Sequence, residues 1–264
     1  MNILYIGDIM GGPGVSAVES VLPKLKAEKK IDIVIAQAEN VTGGKGISVS
    51  DYKHLKEIGI DFFTGGNWTG HLKEIEPYLN DPKEPIIRPA NYPEGTPGLG
   101  YKYLDTTQGK LLVISLLGKI VGRDADLPMD NPLKKIDEIL EKEKDVKKVG
   151  TVVNFHGDYS SEKVVIGHYL DGRVSAVIGD HWHVPTADAR ILPKGTAHIT
   201  DVGMCGILNS SLGIKLQTII DRWKSGHPSK NILEDEDSCL QFNALYIELQ
   251  NKKVSLIQKI INNT

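Results

Sequence analysis

The sequence NILYIGD at residues 2–8 decides the fold class, because a run of mostly apolar residues ends directly in glycine and aspartate. Residues 2–6 are predicted to form a β-strand. Residues 15–29 follow with apolar side chains at helical spacing, and residues 31–36 form a second β-branched run. A strand, a helix and a further strand in this order are typical of a parallel or mixed sheet covered by helices. The sequence therefore predicts an α/β fold.

The same alternation of strands and helices continues along the chain. Ser50 is the predicted N-cap of the second helix, and residues 239–261 alternate apolar and polar side chains, which predicts a β-hairpin that turns at Asn251 and Lys252. The other strands are predicted at residues 60–64, 111–117, 149–155 and 174–178, and the helices at residues 50–58 and 132–144.

Residues 82–100 interrupt this pattern, since they contain five prolines and several glycines. Such a composition predicts a long, rigid loop with a short strand at residues 86–87. A loop of this length either walls a ligand pocket or only connects two parts of the fold. No other segment has the composition of a linker, so residues 1–264 are predicted to form a single domain that includes this loop.

The composition excludes some classes of protein. The chain has 264 residues and a formal net charge of -3, which argues against an extensive nucleic-acid surface and against an RNA-processing nuclease, except on short or single-stranded substrates. The longest apolar stretch, residues 111–117, is far shorter than the roughly 20 residues of a membrane span. Two cysteines far apart in the sequence and an N-terminus without a signal-peptide pattern favour the cytoplasm.

The polar residues that follow the predicted strands are of types that bind metal ions. Ligand sites in open α/β sheets gather beyond the carboxyl ends of the strands. One such residue alone is more often part of a turn or a helix cap. Here the strand ends together supply seven candidates, which are Asp8, Glu39, Asn40, Asn67, His156, His181 and His183.

This set of side chains predicts the kind of metal site. Imidazole, carboxylate and amide ligands suit iron, manganese or zinc better than calcium, and seven ligands exceed what one ion usually accepts. His181 and His183 point to one side if their segment is extended, so they can belong to one metal site. Two ions about 3.5–4 Å apart stabilise the attacking and leaving oxygens of a displacement at phosphorus. The residues therefore predict a binuclear, metal-dependent phosphoesterase.

Several longer motifs surround these candidates. They are Ile6-Gly7-Asp8 with Gly11 and Pro13-Gly14, Ala38-Glu39-Asn40 with Gly44-Lys45-Gly46, Gly66-Asn67, residues 88–98, Phe155-His156, His181-Trp182-His183-Val184, residues 191–197 and residues 200–204. With these motifs the chain resembles the YmdB-type branch of the calcineurin-like metallophosphoesterases over nearly its whole length.

The resemblance implies an α/β sandwich of two mixed sheets flanked by helices. It implies a hydrolase that acts on phosphodiesters, including nucleoside 2′,3′-cyclic phosphates and similar small phosphoesters. Two metal ions are the implied cofactors, with iron or manganese first and zinc or magnesium as alternatives. The resemblance also suggests a homo-oligomer, and neither the fold nor the motifs indicate a membrane partner.

The resemblance divides the seven strand-end residues between the two ions. It implies that Asp8, Glu39 and His183 hold one ion, with Asn40 beside it. Glu39 then bridges to the second ion, whose other ligands are Asn67, His156 and His181.

One position departs from the family pattern. The family reads Gly-Asn-His at the third strand end, and its histidine is thought to protonate the leaving group, whereas this chain has Trp68 there. A positioned acid contributes roughly 10²–10⁴-fold to a rate. The tryptophan therefore leaves three interpretations: a slow enzyme, an enzyme restricted to good leaving groups, or a catalytically weakened, metal-binding regulatory protein. His71 replaces the missing acid if a helix begins near Asn67, and otherwise it faces solvent.

Four further side chains are candidates for supporting roles. Lys45, Arg88 and Asn91 are predicted either to bind the substrate phosphate or to stabilise their own loops. Asp201 is predicted to orient a ligand histidine, as carboxylates near metal sites often do.

Overall fold

Two β-sheets form the centre of the computed structural model, which describes residues 1–235 and 239–262. The strands are β1 (Asn2–Ile6), β2 (Asp8–Ile9), β3 (Ile33–Gln37), β4 (Phe62–Thr64), β5 (Tyr101–Thr106), β6 (Gly109–Leu117), β7 (Gly150–His156), β8 (Ala176–Asp180), β9 (Arg190–Ile191), β10 (Ala197–Ile199), β11 (Met204–Ile207), β12 (Cys239–Glu248) and β13 (Lys253–Asn262). The helices are α1 (Gly11–Lys29), α2 (Val49–Ile58), α3 (Glu76–Asn80), α4 (Pro132–Lys142), α5 (Ser160–Tyr169) and α6 (Leu216–Ser225).

Both sheets combine parallel and antiparallel strands. Within the described residues, the first sheet has the order β2-β11-β12-β1-β3-β4, with β13 paired to β12. Strands β1, β3 and β4 are parallel, whereas β12 is antiparallel to β1. The second sheet has the order β5-β6-β7-β8-β10-β9, and its strands β6, β7, β8 and β10 are parallel. The carboxyl ends of the parallel strands therefore lie together at one edge of each sheet.

The two sheets share one apolar layer. Ile3, Tyr5 and Ile35 of the first sheet are buried in the same cluster as Val113 and Val152 of the second. Burial of apolar surface is the main favourable term in folding, so this layer holds the sheets face to face. Because it joins both sheets, we propose that the chain forms a single domain.

Helices cover the outer face of each sheet. Val18 and Leu22 of α1 and Leu55 of α2 are buried against the first sheet. Ile136 of α4 and Ile166 of α5 are buried against the second. The predicted sandwich of two mixed sheets flanked by helices is confirmed.

Two helices begin earlier than the sequence predicts. Helix α1 begins at Gly11 rather than at residue 15, and a Cβ on Gly14 would lie only 2.6 Å from the Cys205 carbonyl oxygen of β11. Helix α2 begins at Val49, and its N-cap is Ser48, whose hydroxyl accepts a hydrogen bond from the Asp51 amide at 3.0 Å. The assignment of Ser50 as N-cap is wrong because Ser50 already lies within the first turn.

The loop at residues 82–100 is largely irregular, as predicted. Its predicted short strand is reduced to one parallel bridge between Ile86 and Phe63. Strand β5, which follows the loop, was not predicted, and it pairs antiparallel with β6. The predicted hairpin is confirmed as β12 and β13. Among the described helices, none is long and apolar enough to cross a membrane.

Candidate metal centre

The strand ends bring two groups of side chains together. In the first group, ligand atoms of Glu39, His156 and His181 all lie within 4.8 Å of one another. Nε2 of His156 lies 3.0 Å from Oε1 of Glu39 and 3.0 Å from Oδ1 of Asn67. Glu39 and His156 are fully or almost fully buried, so their donor atoms face each other rather than water. These residues can hold one cation.

The second group adjoins the first and contains Asp8, Asn40 and His183. Nε2 of His183 lies 3.4 Å from Oδ1 of Asn40 and 3.8 Å from Oδ1 of Asp8. Asp8 is fully buried, and its Oδ1 has no hydrogen-bond partner among the described residues. A buried carboxylate oxygen without a partner is costly, and a cation would satisfy it. The structure therefore brings all seven predicted ligands to one site, and their donor atoms suit a metal.

The protonation equilibria of Glu39 and His183 agree with this fit. The pKa of Asp8, raised by burial, and that of His156, which against the effect of burial is raised by Glu39 and Asp180, oppose it as long as no cation is bound. Burial and the nearby Asp180 raise the pKa of Asp8 well above its usual value. Burial also opposes the ionisation of Glu39, but His156 holds the pKa of Glu39 below its usual value. Burial, together with His181, lowers the pKa of His183 to about 4, so this imidazole is neutral at neutral pH. Neutral imidazoles and ionised carboxylates are the forms that bind metals.

Asp180 orients His156 from behind the site. Its Oδ1 lies 2.7 Å from Nδ1 of His156, which directs the other ring nitrogen towards Glu39. Its Oδ2 accepts hydrogen bonds from the side chains of Tyr5 at 2.8 Å and Gln37 at 3.2 Å. A carboxylate on the far nitrogen of a ligand histidine fixes the tautomer and the ring orientation.

The turn that carries His181 and His183 has unusual backbone geometry. Both histidines have positive φ angles, 102° and 61°, in a region that residues other than glycine rarely adopt. Nζ of Lys163, from α5, donates to the Asp180 carbonyl oxygen at 2.7 Å and to Oδ2 of Asp201 at 2.6 Å. We call this lysine and Asp201 the buried ion pair. This ion pair fixes the backbone of the turn that carries His181 and His183.

Asp201 therefore acts differently from its predicted role. It accepts a hydrogen bond from the Trp182 backbone amide at 2.9 Å, while Nζ of Lys163 lies 4.0 Å from the centre of the Trp182 ring. Asp201 thus fixes the backbone between the two histidines, and the structure gives the role of orienting a ligand ring to Asp180.

Two aspartates that the sequence did not indicate also contact predicted ligands. Oδ2 of Asp124 accepts a hydrogen bond from Nδ2 of Asn67 at 2.8 Å, which turns the amide oxygen of Asn67 towards His156. Oδ2 of Asp158 lies 3.3 Å from Nε2 of His181. Asp124 ends a short 3-10 helix after β6, and Asp158 lies in the irregular segment after β7, so no periodic pattern marks either of them.

The structure corrects two of the predicted substrate residues. The Arg88 guanidinium donates to the carbonyl oxygens of Pro89 at 2.6 Å and Thr96 at 3.1 Å. Asn91 is fully buried, and its side chain bonds to the backbone of Leu117 at 2.7 Å in both directions. Arg88 thus bonds carbonyl groups of its own loop, and Asn91 ties the loop to the end of β6, because these backbone groups need hydrogen-bond partners.

The premise for His71 as an acid is also wrong. Residues 67–72 form turns, and the first helical residues after them are Lys73–Ile75. His71 is exposed and contacts the edge of Trp68, with 5.2 Å between the ring centres. Lys45, in contrast, lines the open cleft beside the metal centre, with its Nζ 4.1 Å from the centre of the Trp68 ring.

Gly66 has no side chain, which allows the ligands of the metal centre to pack closely around it. A Cβ on Gly66 would overlap the His156 ring and the Glu39 carboxylate. The Gly66→Ala variant is therefore expected to bind Mn²⁺ at least about 10-fold more weakly, as when the supports of metal ligands are disturbed. Isothermal titration calorimetry measures this. Gly70→Ala is the matched control, since a Cβ there meets nothing within 4 Å. Equal affinities in the two variants would contradict the prediction.

Two mixed sheets packed face to face, with carboxylates and histidines of both at the shared edge, define the metallophosphoesterase class of fold. The sequence model of the YmdB-like protein family matches residues 4–260, and the chain belongs to this family.

Similar proteins agree with this membership. The chain is 41% identical over 264 residues to the 2',3'-cyclic-nucleotide 2'-phosphodiesterase of Bacillus subtilis (strain 168), with 100% of this chain and 97% of that protein covered. A solved structure of a hypothetical protein from Thermus thermophilus has a TM-score of 0.88 and 36% identity, with both chains fully covered (100%). A solved structure of a novel phosphatase from Mycoplasma pneumoniae has a TM-score of 0.89 and 30% identity, covering 99% of this chain and 94% of that one.

Proposed function

We propose that this protein is a binuclear metal-dependent phosphodiesterase that hydrolyses nucleoside 2′,3′-cyclic phosphates or similar small esters. The observation that carries the proposal is the buried, unpaired Oδ1 of Asp8 next to the group of Glu39, His156 and His181, at the end of an open cleft. The similarity to a 2',3'-cyclic-nucleotide 2'-phosphodiesterase supports the substrate class.

The distances support a division of the ligands between two ions. We assign Glu39, Asn67, His156 and His181 to one ion, and Asp8, Asn40 and His183 to the other, with Glu39 shared. Iron or manganese is the proposed metal, and zinc or magnesium is the alternative, since these ions overlap in ligand preference. When bound, such ions supply a Lewis acid for the phosphoryl oxygens and lower the pKa of water.

The chain's own residues orient the metal ligands and attract the substrate. Asp180 and Asp124 fix the directions of His156 and Asn67. The Trp68 backbone amide donates to Oε2 of Glu39 at 2.9 Å, so residue 68 steadies the shared carboxylate whatever its side chain. Lys45, at the mouth of the centre, is placed to attract the anionic substrate.

We further propose that the side chain at position 68 limits the reaction. The family pattern has a histidine there that can give a proton to the leaving group, whereas an indole N–H does not ionise at neutral pH. Departure of a sugar alkoxide needs such a proton more than departure of p-nitrophenolate does. The protein is therefore proposed to act slowly on cyclic nucleotides relative to activated esters.

The Trp68→His variant tests this proposal. It is expected to raise kcat on a nucleoside 2′,3′-cyclic phosphate by about 10²-fold, with little change on bis-p-nitrophenyl phosphate. Trp68→Phe is the control, because it keeps an aromatic side chain without a titrating group. Equal changes on both substrates would contradict the role of an acid at this position.

The alternative is a metal-binding regulatory protein that has lost catalysis at Trp68. It predicts two bound metal ions and no turnover of either substrate by the wild type. Metal content and initial rates, measured on one preparation, separate the two functions. The cytoplasmic location and the homo-oligomer stay predictions from the sequence.

A further inference from the structure

The cleft at the metal centre is larger than the substrate of the proposed function requires. Its volume is about 1130 Å³, whereas pockets for small ligands usually measure about 300–1,000 Å³. Lys45 and Trp68 line the cleft near the metal centre, and residues of α6 and the segment at residues 228–231, together called the far wall, line another part of it. The cleft therefore has room for more than one nucleotide.

The charged lining of the cleft changes sign away from the metal centre. Among the described residues that line it there, the charged side chains are Arg222 and Lys230, while Lys45 adds a positive charge beside the centre itself. The whole chain, in contrast, has a net charge of -3. A concave site lined by one sign of charge attracts ligands of the opposite sign. The far wall therefore favours an anion separate from the one at the metal centre.

Hydrogen bonds from Arg222 fix the far wall of the cleft. Its Nε donates to Oγ of Ser229 at 3.0 Å, and its Nη2 donates to Oδ1 of Asn231 at 2.6 Å. These bonds hold the segment on both sides of Lys230 against α6. Lys230 itself is exposed on this segment and lines the cleft, so its ammonium group can reach a ligand.

An apolar floor connects the metal centre with the far wall. Met10 and Ile214 are buried in one cluster, and Ile219 packs against it. Met10 adjoins the centre, because the next residue, Gly11, donates its amide to the Asn40 carbonyl oxygen at 3.0 Å. Ile219 lies one helical turn from Arg222 on α6. An apolar surface between two anion sites suits a nucleoside.

We propose, on the basis of the proposed function, that the cleft binds a single-stranded oligonucleotide of at least two nucleotides. The terminal phosphate lies at the metal centre, a nucleoside lies on the apolar floor, and the next phosphate lies at Arg222 and Lys230. The substrate class is thus the end of a short oligonucleotide as well as the free nucleotide.

The test compares the binding of a dinucleotide and a mononucleotide to the metal-loaded protein. Isothermal titration calorimetry is performed with the adenosine dinucleotide ApAp and with adenosine 3′-monophosphate. The dinucleotide is expected to bind at least about 10-fold more tightly, because it adds a phosphate that charged donors contact. Adenosine 3′,5′-bisphosphate carries both phosphates on one nucleoside and fills the same two anion sites, so it is expected to bind more tightly than the monophosphate and about as tightly as ApAp.

Two charge-reversal variants locate the effect. Lys230→Glu is expected to abolish the preference for ApAp and to leave the affinity for the monophosphate within about twofold. Lys224→Glu makes the same change at an exposed lysine of α6 outside the cleft, and it is expected to keep the preference. Because titration measures binding, a wild type that hydrolyses neither test ester would overturn the proposed function alone. Equal affinities for ApAp and the monophosphate, an affinity for the bisphosphate no higher than that for the monophosphate, or equal losses in both variants would overturn the oligonucleotide site.

Discussion

The His156→Ala variant is expected to hydrolyse bis-p-nitrophenyl phosphate at least about 10³-fold more slowly than the wild type. His156 is fully buried, and its Nε2 lies 3.0 Å from both Glu39 and Asn67, so its removal opens the centre of the first ligand group. The loss of one preorganised donor alone costs about 10²–10³-fold in a typical hydrolase. Loss of a bound ion lowers the rate further, and the His156→Ala protein is expected to contain one metal ion fewer than the wild type.

Initial rates and metal content, measured on the same samples, check this expectation. His54→Ala is the matched control, because His54 is an exposed histidine of α2 that pairs with Glu19 at 2.7 Å. It should keep both the rate and the metal. A His156→Ala protein with a normal rate and metal content would refute the assignment of His156 as a ligand.

The Lys163→Met variant is expected to lose about 3–5 kcal/mol in the free energy of unfolding. Both members of the buried ion pair are fully buried, so the substitution leaves the Asp201 carboxylate without a compensating charge. The Asp180 carbonyl oxygen loses its donor at the same time. Breaking a buried pair on one side is therefore much more harmful than removing an exposed lysine.

Urea denaturation followed by circular dichroism measures the loss. Lys163→Met combined with Asp201→Asn should recover part of the stability, because it removes the unpaired charge. The control is Lys134→Met at an exposed position of α4, which should change the stability by less than about 0.5 kcal/mol. A loss below about 1 kcal/mol in Lys163→Met would show that the pair contributes little.

The sequence predicted the ligands because they follow strands with clear apolar runs. Asp8, Glu39 and His156 stand at or just beyond the ends of such runs, and the topology of parallel strands brings these ends together. The supporting residues have no such signal. Lys163 lies in a helix directly after two serines and a glutamate. A lysine in such a position is usually exposed, and only the fold reveals that it is buried.

The errors have a common physical cause. Arg88 and Asn91 have the donors that a phosphate site needs, but carbonyl groups of the loop and of the end of β6 need the same donors. The sequence does not show whether a substrate phosphate or a backbone carbonyl group lies nearer to these donors. The role of His71 depended on a helix at Asn67, and the glycines at residues 65–66 and 70 lead instead into turns.

The separation of α6 from the sheets has an evolutionary consequence. None of the residues of α6 is buried, so its sequence is constrained mainly by Arg222 and by the side chains that face the cleft. The metal ligands, in contrast, lie at strand ends that the sheets hold in place. Substitutions in α6 can change which substrates the cleft binds. The metal ligands at the strand ends, and the reaction that they support, then stay the same. Paralogues of this chain can diverge in specificity through this one helix.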